Sequence, residues 1–94
     1  MKIVWRPRAD ADLDRIFHYI AKDNPRAAIA LDDEFKAKAA IAARHPELYR
    51  PGRIPGTREI VVKSWIMVYR VSKRPAAIVI LRVIHGRRQW PVRE

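Results

Sequence analysis

The side chains best suited to chemistry crowd into one short segment. The apolar run Ile78-Val79-Ile80-Leu81-Arg82-Val83-Ile84 leads directly into His85-Gly86-Arg87-Arg88-Gln89-Trp90. Histidine can take or give a proton near neutral pH, and the planar fork of arginine donors matches phosphate and carboxylate oxygens. An imidazole, guanidiniums and an indole at the end of a strand make either a site for polyanions or a basic docking tail. His85 can serve such a site or simply bond a loop carbonyl where its strand ends. Trp90 can stack on a base or anchor the tail on the sheet edge. Arg70 and Arg82 stand among aliphatic neighbours, where each can pair with Glu59 or receive a partner's carboxylate.

Other titratable groups carry less. Asp10, Asp12 and Asp14 fall in the first turns of a predicted helix, where their charge complements the positive end of the helix dipole, and no chemistry is assigned to them. His45 lies at the negative end of a second predicted helix, a placement that favours the protonated ring without any catalysis. His18, His45 and His85 occupy different elements and no cysteine accompanies them, so neither a metal site nor a cofactor is implied.

The elements that must position these groups follow from periodicity. Lys2-Ile3-Val4-Trp5, closed by Pro7, reads as a strand. Between Ala9 and Lys22, the residues Leu13, Ile16, Phe17 and Ile20 share one stripe of an amphipathic helix. Asn24 can cap a second helix with Pro25 at its first position, and Ala28, Leu31, Phe35, Ala39 and Ala42 continue it towards Pro46. Two such helices on so short a link form an antiparallel hairpin, one side of which needs a sheet. The stretch from His45 to Thr57, with its prolines, glycines, Arg50 and Arg53, reads as a basic, exposed loop. Arg58 to Val62, Trp65 to Val71 and Ala77 to Ile84 read as an antiparallel meander. Alternation puts Trp65, Met67, Tyr69 and Val71 on one face, with Ile66, Val68 and Arg70 on the other. In the last strand it sets Ile78, Ile80, Arg82 and Ile84 against Val79, Leu81, Val83 and His85. The expected fold class is α+β in the order β-α-α-β-β-β, a helix hairpin on a mainly antiparallel sheet, as a single domain over residues 1–94.

With 94 residues, 49% of them hydrophobic, the chain can build one modest core. Absence of cysteine excludes a disulfide framework, and no apolar run approaches the ~20 residues of a membrane span. A soluble, unexported, cytoplasmic protein with no membrane partner is expected. The net charge of +10 is unevenly distributed. Residues 1 to 34 hold six basic and seven acidic side chains, whereas residues 35 to 94 hold fourteen basic and three acidic ones, a balance of +11. Such a field attracts phosphate backbones, acidic proteins or anionic membrane surfaces.

Several segments together resemble the RelE/ParE superfamily of type II toxins. They are Pro7-Arg8-Ala9-Asp10-Ala11-Asp12-Leu13, Tyr19-Ile20-Ala21-Lys22-Asp23-Asn24-Pro25, Gly56-Thr57-Arg58-Glu59-Ile60-Val61-Val62, Met67-Val68-Tyr69-Arg70-Val71 and Ile80-Leu81-Arg82-Val83-Ile84-His85-Gly86-Arg87-Arg88. The resemblance implies a toxin neutralised by a cognate antitoxin whose acidic, amphipathic C-terminal segment wraps it, forming a hetero-oligomer. RelE-like members cut mRNA in the ribosomal A site, and ParE-like members poison DNA gyrase without chemistry of their own. Cleavage by 2′-OH attack needs a base, an acid and cations for the phosphorane charge, roles that His85, Arg82, Arg87, Arg88 and Arg58 could fill. RelE-like nucleases also carry a strand arginine and a C-terminal phenol, but here Ile66 and Trp90 stand in their approximate places, and an indole is neither acid nor base at neutral pH. This departure, with the short end from Pro91 to Glu94, favours the ParE-like branch. On that reading Arg58, Arg70, Arg82, His85, Arg87, Arg88 and Trp90 form the surface for gyrase or antitoxin.

Overall fold

The computed structural model describes residues 1–88 and 90; Gln89 and the segment from Pro91 to Glu94, including the short end read as ParE-like, lie outside the described residues. Strand β1 (Lys2–Trp5) leads into helices α1 (Pro7–Ala21) and α2 (Pro25–Arg44). Strands β2 (Arg50–Pro51), β3 (Thr57–Val62), β4 (Trp65–Lys73) and β5 (Ala76–His85) follow. The sheet order is β1-β5-β4-β3-β2, with β1 parallel to β5 and every other pair antiparallel.

The helices start as their sequences dictate. Pro7 opens α1, and the Asn24 side chain accepts the Ala27 N–H at 3.1 Å with Pro25 next in line, which satisfies one orphan donor of α2. Leu13 and Ile16 of α1 and Leu31, Phe35, Ala39 and Ala42 of α2 close over Ile60, Val62, Met67, Tyr69, Ile78 and Ile80 to form the main core. The alanine face of α2 lets the helix lie close against its neighbours. Across the sheet, Ile66, Val68 and Ile84 form a second, smaller cluster with Leu81 and Trp90 packed against it.

Two expectations are corrected. The loop from His45 to Thr57 is not wholly irregular, because Arg50–Pro51 pairs with Arg58 and Glu59 of β3. The cause is Glu59, buried at 3% exposure, which accepts the Arg53 backbone N–H at 2.9 Å and an Arg50 guanidinium bond at 3.2 Å, so the loop is pinned to the sheet by a carboxylate that needs donors. The strict alternation of β5 also fails. Val68 pairs with Arg82 but Tyr69 pairs with Ile80, so Leu81 is an extra residue and a bulge. Beyond it the parity flips: Val83 joins Ile78 and Ile80 in the main core, while Ile84 joins the outer cluster.

Candidate functional site

The bulge in β5 places the chemistry-bearing segment. β1 accompanies β5 only from Ala77 to Ile80, so beyond Ile80 the edge of β5 on that side has no neighbouring strand. Asp12 of α1 fills the gap. Its carboxylate accepts the Val83 backbone N–H at 2.8 Å, the Arg82 Nε–H at 2.8 Å and an Arg82 terminal N–H at 3.2 Å, and it also pairs with Arg15. At 2% exposure it is an anion removed from water, tolerable only because every oxygen is supplied with donors. Asp12 is therefore the buried counter-ion of the last strand, which corrects its reading as helix-start electrostatics. Arg82 is only 7% exposed, and its partner is Asp12 rather than Glu59.

The same junction orients His85. The His85 ring meets Trp65 edge-on with centroids 5.0 Å apart, as expected of directly paired residues on one sheet face. Its Nδ1 accepts the Arg87 backbone N–H at 3.1 Å, so the neutral ring carries its proton on Nε2. The turn is tied down because the Gly86 N–H donates to the Ser64 carbonyl at 2.7 Å. His85, Arg88 and Trp65 face Arg15, Ile16 and Tyr19 of α1 across a cleft of about 300 Å³.

The remaining candidates separate from this cleft. Arg87 lines a shallow outer depression with Val61, Lys63 and Ile66. Arg70 is exposed on the same outer face, directly opposite Val79. Trp90 packs on the Ile66, Val68 and Ile84 cluster, with its carbonyl 3.5 Å from an Arg53 guanidinium nitrogen. Arg58 pairs with Tyr69 and is tied to the loop after α2, donating to the Tyr49 carbonyl at 2.6 Å. Tyr69, fully buried, donates its hydroxyl to the Pro46 carbonyl at 2.6 Å, and burial pushes its pKa up while the nearby Arg58 charge pulls the other way.

Sequence reasoning missed Asp12, Arg15 and Tyr19 as neighbours of His85. A signal existed, since Asp12, Arg15, Ile16 and Tyr19 recur at helical spacing on one face of α1; what lay across from that face was not readable. Among the described residues no cluster of three or more histidine, cysteine or carboxylate groups could hold a metal, and no helix is long and apolar enough to cross a membrane.

Comparison with known proteins agrees with this architecture. The model of the family described as the ParE toxin of the type II toxin-antitoxin system parDE matches residues 3–90. The protein Y4kP of Sinorhizobium fredii, which carries a toxin designation, is 39% identical over 92 residues, covering 96% of this chain and 93% of its own. The chromosomal ParDE toxin-antitoxin system from P. aeruginosa contains a chain that superposes with a TM-score of 0.75 at 26% identity, over 90% of this chain and 95% of that one. A chain of the RelBE2 toxin-antitoxin complex from Mycobacterium tuberculosis shares the fold, with a TM-score of 0.60 at 24% identity over 89% of this chain and 95% of its own. This chain belongs to the ParE toxin family of type II toxin-antitoxin systems, within the RelE/ParE superfamily.

Proposed function

We propose that the protein inhibits DNA gyrase, and that it is held inactive in a hetero-oligomer with a cognate antitoxin. The observation that carries the first part is the dispersal of the groups that RNA cleavage would require. Arg82 is enclosed by Asp12, and Arg58 is committed to loop carbonyls. Arg58 pairs with Tyr69 and His85 with Trp65, rows four residues apart along β4 and hence about 13 Å apart at ~3.3 Å per residue. General acid-base groups must come within about 3 Å of the protons they move, so this separation weighs against the two sharing one scissile bond. The ParE family match and the likeness to the ParDE system favour the same branch.

The antitoxin reading rests on charge and exposed apolar surface. A balance of +11 beyond residue 34, with Tyr19, Ile29, Leu48 and Val61 left exposed, suits an acidic amphipathic segment that orders as it binds. Solved relatives of the fold come from ParDE and RelBE toxin-antitoxin systems.

Purified protein added to gyrase should block supercoiling or trap cleaved DNA, and message in a translating extract should stay intact. Unimpaired supercoiling at saturating protein would remove the gyrase reading, and cleaved message would replace it with ribosome-dependent nuclease activity. Expression without a partner should arrest growth, and co-expression of the antitoxin should restore it.

A further inference from the structure

We propose that the cleft between α1 and the end of β5 binds a free nucleoside monophosphate, a property independent of the gyrase reading. Its volume of about 300 Å³ lies at the small end of ligand sites, which run from roughly 300 to 1,000 Å³. Its lining combines an apolar floor, flat aromatic side chains and a rim of donors.

The donors come from three places in the chain: Arg15 on α1, His85 at the end of β5 and Arg88 on the following turn. Each is prepared for an anion. Arg15 uses part of its fork on Asp12, which steadies the guanidinium and leaves further N–H groups for a ligand. His85 has Nδ1 occupied by the Arg87 N–H, so Nε2 is the donor in its neutral form. Arg88 is exposed. The one carboxylate in the lining does not oppose them, because Asp12 is 2% exposed and already accepts bonds from Arg82, Arg15 and the Val83 backbone.

The aromatic groups decide between anions. Tyr19 is 72% exposed at the lip, an unusual position for a large ring on a helix, and Trp65 lies within, held edge-on by His85. Rings so placed can stack on a nucleobase while the arginines and the imidazole hold a phosphate. An acidic peptide would satisfy the cations, but its extended backbone suits a long groove better than this compact cleft of about 300 Å³.

The test titrates the full chain with AMP, adenosine, inorganic phosphate and a short acidic peptide, read by calorimetry and by the NMR signals of the Trp65 indole and the His85 ring. AMP should bind one-to-one and shift both signals, with adenosine and phosphate each at least about tenfold weaker. Arg15→Gln and Arg88→Gln should each weaken AMP by about tenfold, and Tyr19→Ala by several-fold, whereas Arg70→Gln on the outer face should leave it unchanged. Arg88 bears on the surface alone, so its loss reports on binding even if Arg15→Gln disturbs Asp12. The proposal fails if AMP binds no tighter than phosphate, if Arg88→Gln has no effect, or if the acidic peptide binds more tightly and shifts the same signals.

Discussion

The Asp12 carboxylate stands where β1 gives out, closing the last strand with a side chain instead of a backbone ladder. Removing it leaves the Arg82 guanidinium buried without a counter-ion and the Val83 N–H without an acceptor. Asp12→Ala should therefore lower stability by about 3–5 kcal/mol in urea unfolding, Asp12→Asn should cost less, and replacing Asp12 and Arg82 together by leucine should recover much of the loss. Tyr69 gives a second residue-scale prediction. Burial raises its pKa above the usual 10.0, so the folded state holds the phenolic proton more tightly than the unfolded chain. The resulting contribution is fully present below pH ~10 and is lost as pH rises through the folded-state value. Tyr69→Phe should flatten the alkaline fall in stability and cost about 1 kcal/mol near neutrality through the lost bond to Pro46, both measurable by unfolding across a pH series.

At the scale of elements, the loop between α2 and β3 is held by β2, by the Glu59 carboxylate and by one close approach. Gly52 donates its N–H to the Thr57 carbonyl at 2.7 Å, and a Cβ there would sit 2.3 Å from the Thr57 hydroxyl oxygen, itself bonded to the Ile54 carbonyl. Gly52→Ala should destabilise by about 1–3 kcal/mol, with faster amide exchange in the loop than in the helix core. In a Thr57→Ala background the added cost should be much smaller, because the obstructing oxygen is gone; an equal cost in both backgrounds would refute this account. The bulge at Leu81 has the converse effect at the other end of the sheet. It turns Val83 and His85 onto the helix-facing side, and without it His85 would not meet Trp65.

For the whole molecule, the governing property is the field of the second part of the chain, +11 beyond residue 34. Long-range attraction of this kind mainly speeds encounter and is screened beyond ~8 Å at physiological salt. The association rate with an acidic partner should therefore fall by about an order of magnitude or more over a tenfold rise in salt, with a smaller change in the dissociation rate; stopped-flow mixing would separate the two. The helix stripes, the cap at Asn24, the strand faces of β4 and the family-specific segments were all legible in the sequence. Each depends on neighbours within a few residues, where periodicity and backbone chemistry act directly. The site was less legible. His85 and Arg88 were recognisable as donors, but their neighbours Arg15 and Tyr19 lie about 70 residues away in the chain. Arg82 had the composition of a surface cation, and only the end of β1, the bulge and Asp12 made it a buried one. The sequence by itself determined the layers, the charge and the family, because these are sums of local preferences. Tertiary structure alone decided which charges face solvent and which are neutralised inside, because burial and pairing depend on what a distant segment brings alongside.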